Sequence, residues 1–231
     1  MALQPENKPA LLGSDSVGLP PPTFDSAALW LKAVAALQKQ DRAIARLIKR
    51  VGPIAFAPHL REEPLTSFIG AIVSQQLSVK AAATILQRVN ALITVDGVPH
   101  TEKLLLTSDD ALRGAGLSYM KASYLKDLAQ KYRDGELPTL PQIKQMSDEQ
   151  IINRFTQIKG VGRWTVEMYL IFNLGRTDVL PTLDLGVRKG IALALQLDAV
   201  PNPAAAMAYG EKWKPYRSVA SLYLWRGLDN K

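Results

Sequence analysis

The residues whose types and spacing most directly indicate chemistry form a short turn, Gly160-Val161-Gly162, placed just before an amphipathic run. Glycine permits a left-handed backbone and the close approach of another molecule. A helix that begins at Arg163 would leave its first N–H groups unpaired and directed out of the turn, which suits a phosphate. Lys159 and Arg163 flank the turn with positive charge. The same turn is also compatible with an ordinary connection between two helices.

A single carboxylate, Asp184, follows later in the chain, after Pro181 and directly before the segment Leu185–Ala192. Aspartate is favoured at the N-cap of a helix, so capping is one interpretation of this residue. A backbone phosphate clamp followed by one isolated acid instead indicates chemistry on a nucleic acid. Both roles can coexist, because a capping aspartate is fixed in position by its hydrogen bonds to the backbone.

The composition is that of an ordinary globular protein, with 231 residues, 47% of them hydrophobic, and a net charge of +7. Basic chains often bind polyanions. The absence of cysteine excludes disulfides, thiolate-bound metals and iron–sulfur clusters. Only His59 and His100 could supply imidazole, and they do not form a ligand-like cluster. Without a secretory signal or a membrane-length apolar run, we expect an intracellular protein with no membrane partner.

The elements that must position these residues are predicted to be helices. Glycine and proline punctuation makes residues 1–22 a flexible tail, and helical periodicity follows almost everywhere. The candidate helix-starting residues are Asp25 or Ser26, Asp41, Thr66 or Ser67, Ser78, Ser118 and Ser147. Later helices are predicted over 163–173, 184–195, 203–213 and 216–228. Only Ala91–Val98 is ambiguous, so we predict an all-α fold made of many short helices.

Four stretches, in order along the chain, carry a family resemblance: Ile72–Ser78, Gly116–Ala122, Ile158–Asp184 and Trp213–Ser218. In these stretches the chain resembles the helix–hairpin–helix DNA glycosylase superfamily, whose hairpin is followed by a Gly/Pro-rich loop and a catalytic aspartate. Within that superfamily it looks most like the 3-methyladenine DNA glycosylase II family of alkylation repair enzymes. The resemblance covers about residues 25–231. Four ordered matches are a much more specific signal than the glycine turn alone.

The resemblance implies an architecture and a partner. Residues 23–231 would form one glycosylase domain, with two interleaved helical lobes facing each other across a cleft and the hairpin on the rim. Related bacterial enzymes carry a β-rich N-terminal domain, but the segment before Thr66 already has a helical pattern, so we expect a compact form of the family. The implied partner is double-stranded DNA containing alkylated bases, bound by a monomer.

By resemblance, Asp184 is the catalytic residue, which stabilises positive charge on the sugar and orients water. In bifunctional members the hairpin is followed by Gly-x-Gly-Arg-Lys-Thr, and that lysine attacks the sugar. Here Trp164 occupies the lysine position, and an indole cannot form a Schiff base. The resemblance therefore implies a monofunctional glycosylase that excises purines of the 3-methyladenine or 7-methylguanine type. Taken alone, Trp164 could equally be a large core residue.

The implied base pocket contains Trp164, Tyr216, Met168 and Leu185. An indole wall would attract a positively charged alkylated purine by stacking and by cation–π interaction. In close relatives an aromatic residue at the position of Tyr216 faces the pocket. Met168 and Leu185 occupy places where some relatives have tyrosines, so we expect a less aromatic pocket and leave the range of damaged bases open.

The resemblance also implies contacts outside the pocket. Relatives insert a residue from the Ile72–Ser78 segment into the base stack, and Gln76 aligns with this intercalating position; Leu77 is either wedge or core. The hairpin would hold a DNA phosphate through Lys159, Gly160, Val161, Gly162 and Arg163. Hairpin carbonyls in such proteins often bind a monovalent cation, so Na⁺ or K⁺ at the carbonyls of Ile158 and Val161 is implied, with no other cofactor.

Two other classes of function compete with this hypothesis. One is a non-catalytic helix–hairpin–helix DNA-binding module, which would have no need for Asp184 after the Pro181 loop. The other is a glycosylase for oxidised or mismatched bases, which Trp164 and the missing cysteines disfavour.

Overall fold

The computed structural model describes residues 22–60 and 62–229. Over these residues the chain forms thirteen α-helices and one sheet of two short strands, so the predicted all-α fold is confirmed. The elements are α1 (Ala27–Gln40), α2 (Arg42–Val51), α3 (Pro64–Ser74), α4 (Val79–Ile93), β1 (Thr94–Val95), β2 (Val98–Pro99), α5 (Thr101–Leu106), α6 (Asp109–Gly114), α7 (Tyr119–Arg133), α8 (Leu140–Ile143), α9 (Asp148–Phe155), α10 (Arg163–Phe172), α11 (Leu185–Leu195), α12 (Pro203–Gly210), a 3₁₀ turn (Glu211–Trp213) and α13 (Arg217–Asp229). The predicted tail, residues 1–22, lies outside the described residues except for Pro22.

Most helix starts follow the predicted capping rule, because a polar side chain satisfies an N–H group that the first turn leaves open. The capping side chains are Ser26, Asp41, Ser78, Ser108, Ser118, Ser147, Asp184 and Asn202. The predicted start of α3 at Thr66 or Ser67 is wrong. That helix begins at Pro64 without a side-chain cap, because proline lacks an N–H group that would need a partner in the first turn.

Buried apolar side chains gather in two clusters. The first cluster is contributed by residues between Leu65 and Val179, and in it Phe68 stacks on Phe155 with ring centroids 4.4 Å apart. The second cluster combines residues 24–48 with residues 180–224. Along the described residues, the chain therefore contributes to the second cluster, then to the first, and then to the second again. Among the described helices, none has the length and apolar character needed to cross a bilayer.

The connection between α10 and α11 is fixed by buried polar contacts. The guanidinium of Arg176, which is 2% exposed, donates to two carbonyls of the α8 region at 3.1 and 2.9 Å. The Ser218 hydroxyl donates to the carbonyl of Arg176 at 2.6 Å and accepts the N–H of Val179 at 2.9 Å. Because Ser218 lies on α13, these bonds tie the connection to the second cluster and set where Asp184 emerges.

Candidate active site

Asp184 lies at the N-terminus of α11 and accepts three hydrogen bonds. Its Oδ1 accepts the backbone N–H of Val187 at 2.8 Å and the indole N–H of Trp225 at 2.9 Å. Its Oδ2 accepts the indole N–H of Trp164 at 2.8 Å. A carboxylate offers about four lone-pair sites, so one remains free. The helix-cap interpretation is therefore confirmed, and the same bonds hold the carboxylate in one orientation.

The two indoles come from different helices and meet at this carboxylate. Trp164 lies in the first turn of α10, and Trp225 lies on α13, where its ring stacks against Phe172 with centroids 6.1 Å apart. Gly186 makes room for this arrangement, since a Cβ there would lie 2.9 Å from Oδ1 of Asp184 and 3.0 Å from Cδ1 of Trp225. The orientation of the Asp184 carboxylate therefore depends on how α10, α11 and α13 pack together.

A cavity of about 690 Å³ opens beside Trp164. This volume is within the usual range for small-molecule sites. Its apolar wall includes Phe68, Trp164, Met168, Tyr169 and Phe172. Asp184 does not itself line the cavity; the hydrogen bond from Trp164 joins it to the cavity wall. The structure thus brings the predicted pocket residues Trp164 and Met168 together at one site.

One end of the cavity is polar. Ser67 and Asn173 line it, and both donate to Oε2 of Glu62, from Oγ at 2.8 Å and from Nδ2 at 2.5 Å. Tyr169, which is 3% exposed, has a hydroxyl without a hydrogen-bond partner among the described residues, and burial raises the pKa of this group. The cavity therefore combines an aromatic wall with a hydrogen-bonding end backed by a carboxylate.

The hairpin forms the tight turn that its glycines indicate. Gly160 has φ of +77°, and a Cβ there would lie 2.1 Å from a ring carbon of Tyr124, so only glycine fits. The N–H of Val161 donates to the carbonyl of Ile158 at 3.1 Å. Gly162 has an ordinary extended backbone with φ of −92°, and no side chain caps α10 behind it. The first amides of α10 are consequently available to an anion.

The two flanking cations have different environments. Arg163 binds Glu149 through both terminal nitrogens and donates from Nε to Oε1 of Glu167 at 3.0 Å. Its guanidinium therefore braces the start of α10, and the phosphate contact predicted for Arg163 stays a prediction. Lys159 is exposed, and its Nζ lies 3.9 Å from Oδ1 of Asp127. Of the two side chains, that of Lys159 is the more exposed, at 66% against 42% for Arg163.

Glu167 is a buried acid that the sequence reasoning did not single out. Its side chain lies in the middle of α10, it is 4% exposed, and its Oε2 has no hydrogen-bond partner among the described residues. Burial outweighs the nearby Arg163 and raises the pKa of Glu167 to about 7. The only sequence signal was a glutamate inside an apolar run.

The predicted wedge occupies the turn between α3 and α4. Gln76 adopts a left-handed backbone with φ of +55°, and Leu77 is 39% exposed. Gln75 and Gln76 both line the cavity. The turn therefore exposes the side chains of Gln76 and Leu77, and Gln76 borders the cavity. The intercalating role of either residue stays a prediction.

Two of the predicted pocket residues are not among those that line the cavity. Tyr216 packs against the second cluster, and Leu185 is exposed at the start of α11; neither lines the cavity. The aromatic residue that reaches the site from α13 is Trp225, which the sequence reasoning missed. A tryptophan in an apolar helix is usually a core residue, so its type alone gave no signal.

The chain belongs to the HhH-GPD superfamily of base excision DNA repair proteins, whose family model matches residues 69–215. It is 36% identical over 198 residues to DNA-3-methyladenine glycosylase 1 of Schizosaccharomyces pombe, covering 84% of this chain and 86% of that protein. It is 31% identical over 198 residues to the alkylbase DNA glycosidase-like protein mag2 of the same yeast, covering 85% and 93%.

Two solved structures are similar. The S. pombe 3-methyladenine DNA glycosylase in complex with abasic DNA gives a TM-score of 0.73 at 37% identity and covers 84% of this chain and 95% of that chain. A DNA-3-methyladenine glycosidase from Bacillus halodurans gives a TM-score of 0.74 at 33% identity, covering 88% and 89%. The family resemblance drawn from the sequence motifs is thereby confirmed.

Proposed function

We propose that this protein is a monofunctional DNA glycosylase, which hydrolyses the N-glycosidic bond of alkylated purines in double-stranded DNA and so initiates base excision repair inside the cell. The observation that carries the proposal is the position of Asp184, held by two indole N–H groups at the edge of an aromatic cavity. Relatives named for 3-methyladenine support the choice of alkylated bases.

The cavity suits a purine that carries positive charge. Alkylation at N3 or N7 makes the base cationic, and a cation is attracted to the face of an aromatic ring. Trp164 and Phe172 provide aromatic surface in the wall. At the polar end, the Glu62 carboxylate lies behind Ser67 and Asn173 and adds negative potential. A neutral purine would gain less from both features, which favours alkylated bases over normal ones.

Asp184 would act on the sugar of the flipped nucleotide. As the bond between C1′ and the base breaks, its electron pair leaves with the cationic base, which departs neutral. Positive charge then develops at C1′, where a fixed carboxylate stabilises it. Water attacks C1′ and gives up its proton to the carboxylate. Because the three donors already hold Asp184, little reorganisation is required in the transition state.

An amine nucleophile is not available at this site. Trp164 occupies the position after the hairpin where a lysine would attack. Lys121 is the only lysine among the residues that line the cavity. Burial lowers the pKa of Lys121, but its Nζ is bound to the carbonyls of Val73 and Gln75 at 2.8 and 2.6 Å. We therefore propose base release without a covalent imine.

The hairpin would hold the DNA backbone next to the lesion. Uncapped amides at the start of α10 and the exposed Lys159 support phosphate binding there. We also propose a monovalent cation at the carbonyls of Ile158 and Val161. The bond from the Val161 amide uses one lone pair of the Ile158 oxygen and leaves the second free. Duplex affinity should then differ between Na⁺ and K⁺ buffers of equal ionic strength.

A panel of duplexes with single lesions tests the function. Purified protein would be incubated with 3-methyladenine, 7-methylguanine, 8-oxoguanine or mismatched bases, and abasic sites would then be cleaved with alkali. We expect release of the alkylated purines, strand breakage only after alkali, and no complex trapped by borohydride. Binding without release of any base would support the non-catalytic module instead. Preferred release of 8-oxoguanine, or a trapped complex, would contradict the proposal.

A further inference from the structure

The turn between α3 and α4 is anchored at both ends. At the end of α3, the ammonium group of Lys121 donates to the carbonyls of Val73 at 2.8 Å and Gln75 at 2.6 Å. These carbonyls are among those that a helix leaves without internal partners, and a positive charge is favourable at this end of the helix dipole. On the other side, the Ser78 hydroxyl caps the first turn of α4.

A second contact joins this turn to the hairpin. Nε2 of Gln75 donates to the carbonyl of Gly160 at 2.8 Å. Helix α7 supports both partners, because Lys121 holds the turn while Tyr124, three residues later, packs against Gly160. Asp127, three residues further on, accepts a hairpin N–H at 2.9 Å. Three side chains spaced three residues apart on one helix therefore fix the turn and the hairpin relative to each other.

Between these anchors the tip of the turn is exposed and conformationally unusual. Gln76 has φ of +55°, a region that residues with a Cβ rarely adopt, and Leu77 is 39% exposed. Such a tip keeps its shape only when its neighbours are held. A tip that is already ordered also enters the base stack without the entropy cost of being ordered during binding.

We propose that Lys121 and Gln75 are positioning residues that lock the wedge turn to the phosphate-binding hairpin, so that backbone clamping and wedge insertion occur in one geometry. This inference rests on the proposed glycosylase function for its kinetic consequence. Both residues should matter when a base must be pulled from a stable pair. They should matter little when the base is already unpaired, because flipping is then easy.

Lys126 provides a matched control on the same helix. Its ammonium group donates to the carbonyls of Leu105 and Thr107 at the end of α5, as Lys121 does at the end of α3. Lys121→Met and Lys126→Met each leave the carbonyls at a helix end without their donor, so both should lower the melting temperature. Only the first should loosen the wedge turn.

The experiment compares single-turnover excision of one alkylated purine placed in a stable pair or in an unpaired bulge. We expect Lys121→Met to slow the paired substrate about tenfold more than the unpaired one, as impaired flipping requires. Gln75→Met should act in the same direction. Lys126→Met should leave the ratio of the paired to the unpaired excision rate unchanged. Lys121→Arg, which keeps a positive donor, should bring this ratio back to the wild-type value. Equal slowing of both substrates by Lys121→Met would show that Lys121 only stabilises the fold and would overturn the inference.

A binding readout separates this inference from the proposed activity. The fluorescence of 2-aminopurine, placed next to an abasic-site analogue, rises when a side chain disrupts the stack, and it requires no excision. We expect a rise with the wild-type protein and with Lys126→Met, and a smaller rise with Lys121→Met at saturating protein. This pattern would support the inference even if no lesion were excised. A rise of equal size with Lys121→Met would overturn it.

Discussion

The indole N–H of Trp164 donates to Oδ2 of Asp184 at 2.8 Å, so the residue that forms the wall of the cavity also orients the carboxylate. A second pair in the same protein has the same chemistry. The indole N–H of Trp213 donates at 2.7 Å to Asp41, which caps α2 in the second cluster. Trp164 lines the cavity, whereas Trp213 and Asp41 are buried away from it, so the two pairs allow the proposed role in catalysis to be compared with a role in folding.

Replacing Trp164 should separate orientation from stacking. Trp164→Phe keeps an aromatic ring but removes the N–H donor, and a hydrogen bond to a charged group contributes about 1.5–3 kcal/mol. We expect single-turnover excision to slow about tenfold or more. Trp164→Ala should in addition weaken binding of the lesion, since each lost stacking contact costs on the order of 1–3 kcal/mol.

Trp213→Phe is the control for this pair. It removes the same kind of donor from Asp41 and should lower the melting temperature without changing the excision rate of the folded protein. A Trp164→Phe variant as fast as the wild type would show that this bond does not orient the catalytic group.

Gly162 tests the hairpin at a position where a side chain meets no neighbour at Cβ. Its φ is −92° and a Cβ there would meet nothing within 4 Å, so a larger residue introduces no clash at this atom. The added side chain would crowd the amides that face a phosphate. We expect Gly162→Val to weaken binding of damaged and undamaged duplex alike, roughly tenfold. The salt dependence of the affinity should also become shallower.

Gly160→Ala is the contrasting change. Its Cβ would collide with Tyr124, so this variant should lose stability rather than only affinity. If Gly162→Val weakened binding only when the lesion is present, the hairpin would belong to base recognition and not to backbone clamping.

Glu167 should make stability depend on pH. Burial raises its pKa from an ordinary value of 4.5 to about 7, so between these values the folded protein holds a proton that the unfolded chain releases. The free energy of unfolding should therefore fall as pH rises through this window. Glu167→Gln removes this titration, so its stability relative to the wild type should increase from pH 4.5 to pH 7 by up to about 3 kcal/mol.

Urea unfolding at several pH values would measure this difference. Glu149→Gln is the matched control, because Glu149 binds the same guanidinium from the exposed side and Arg163 lowers its pKa. That variant should show no such increase with pH. A constant difference between Glu167→Gln and the wild type would mean that Glu167 stays ionised.

The sequence was sufficient where local chemistry decides the structure. Serine and aspartate caps mark most helix starts because they satisfy backbone groups within one turn. The hairpin and Asp184 were identified from residue types and order, and Gly160 adopts the left-handed backbone that glycine permits. These features depend on a few neighbouring residues, so single-sequence reasoning could reach them.

The sequence was insufficient where distant helices decide the contacts. Trp225 reaches Asp184 across 41 positions, and Arg163 reaches Glu149 across 14 positions. The first pairing depends on how α11 packs against α13, and the second depends on how α9 packs against α10. The position of Tyr216 depends on distant packing in the same way. The sequence predicted Tyr216 in the pocket, and the structure packs it against the second cluster. Residue type alone did not distinguish these outcomes.

Single-turnover excision by Asp184→Asn tests the central claim most directly. Asparagine keeps the size and the cap at Val187 but removes the negative charge that we propose stabilises the sugar in the transition state. The control is Asp41→Asn, which alters an aspartate cap bound to an indole outside the cavity. With a duplex that contains one 7-methylguanine, we expect Asp184→Asn to be slower by a hundredfold or more, roughly 3 kcal/mol, with duplex binding retained. Asp41→Asn should excise at the wild-type rate when folded. Activity of Asp184→Asn within about threefold of the wild type, on the order of 0.6 kcal/mol, would contradict the catalytic role of Asp184.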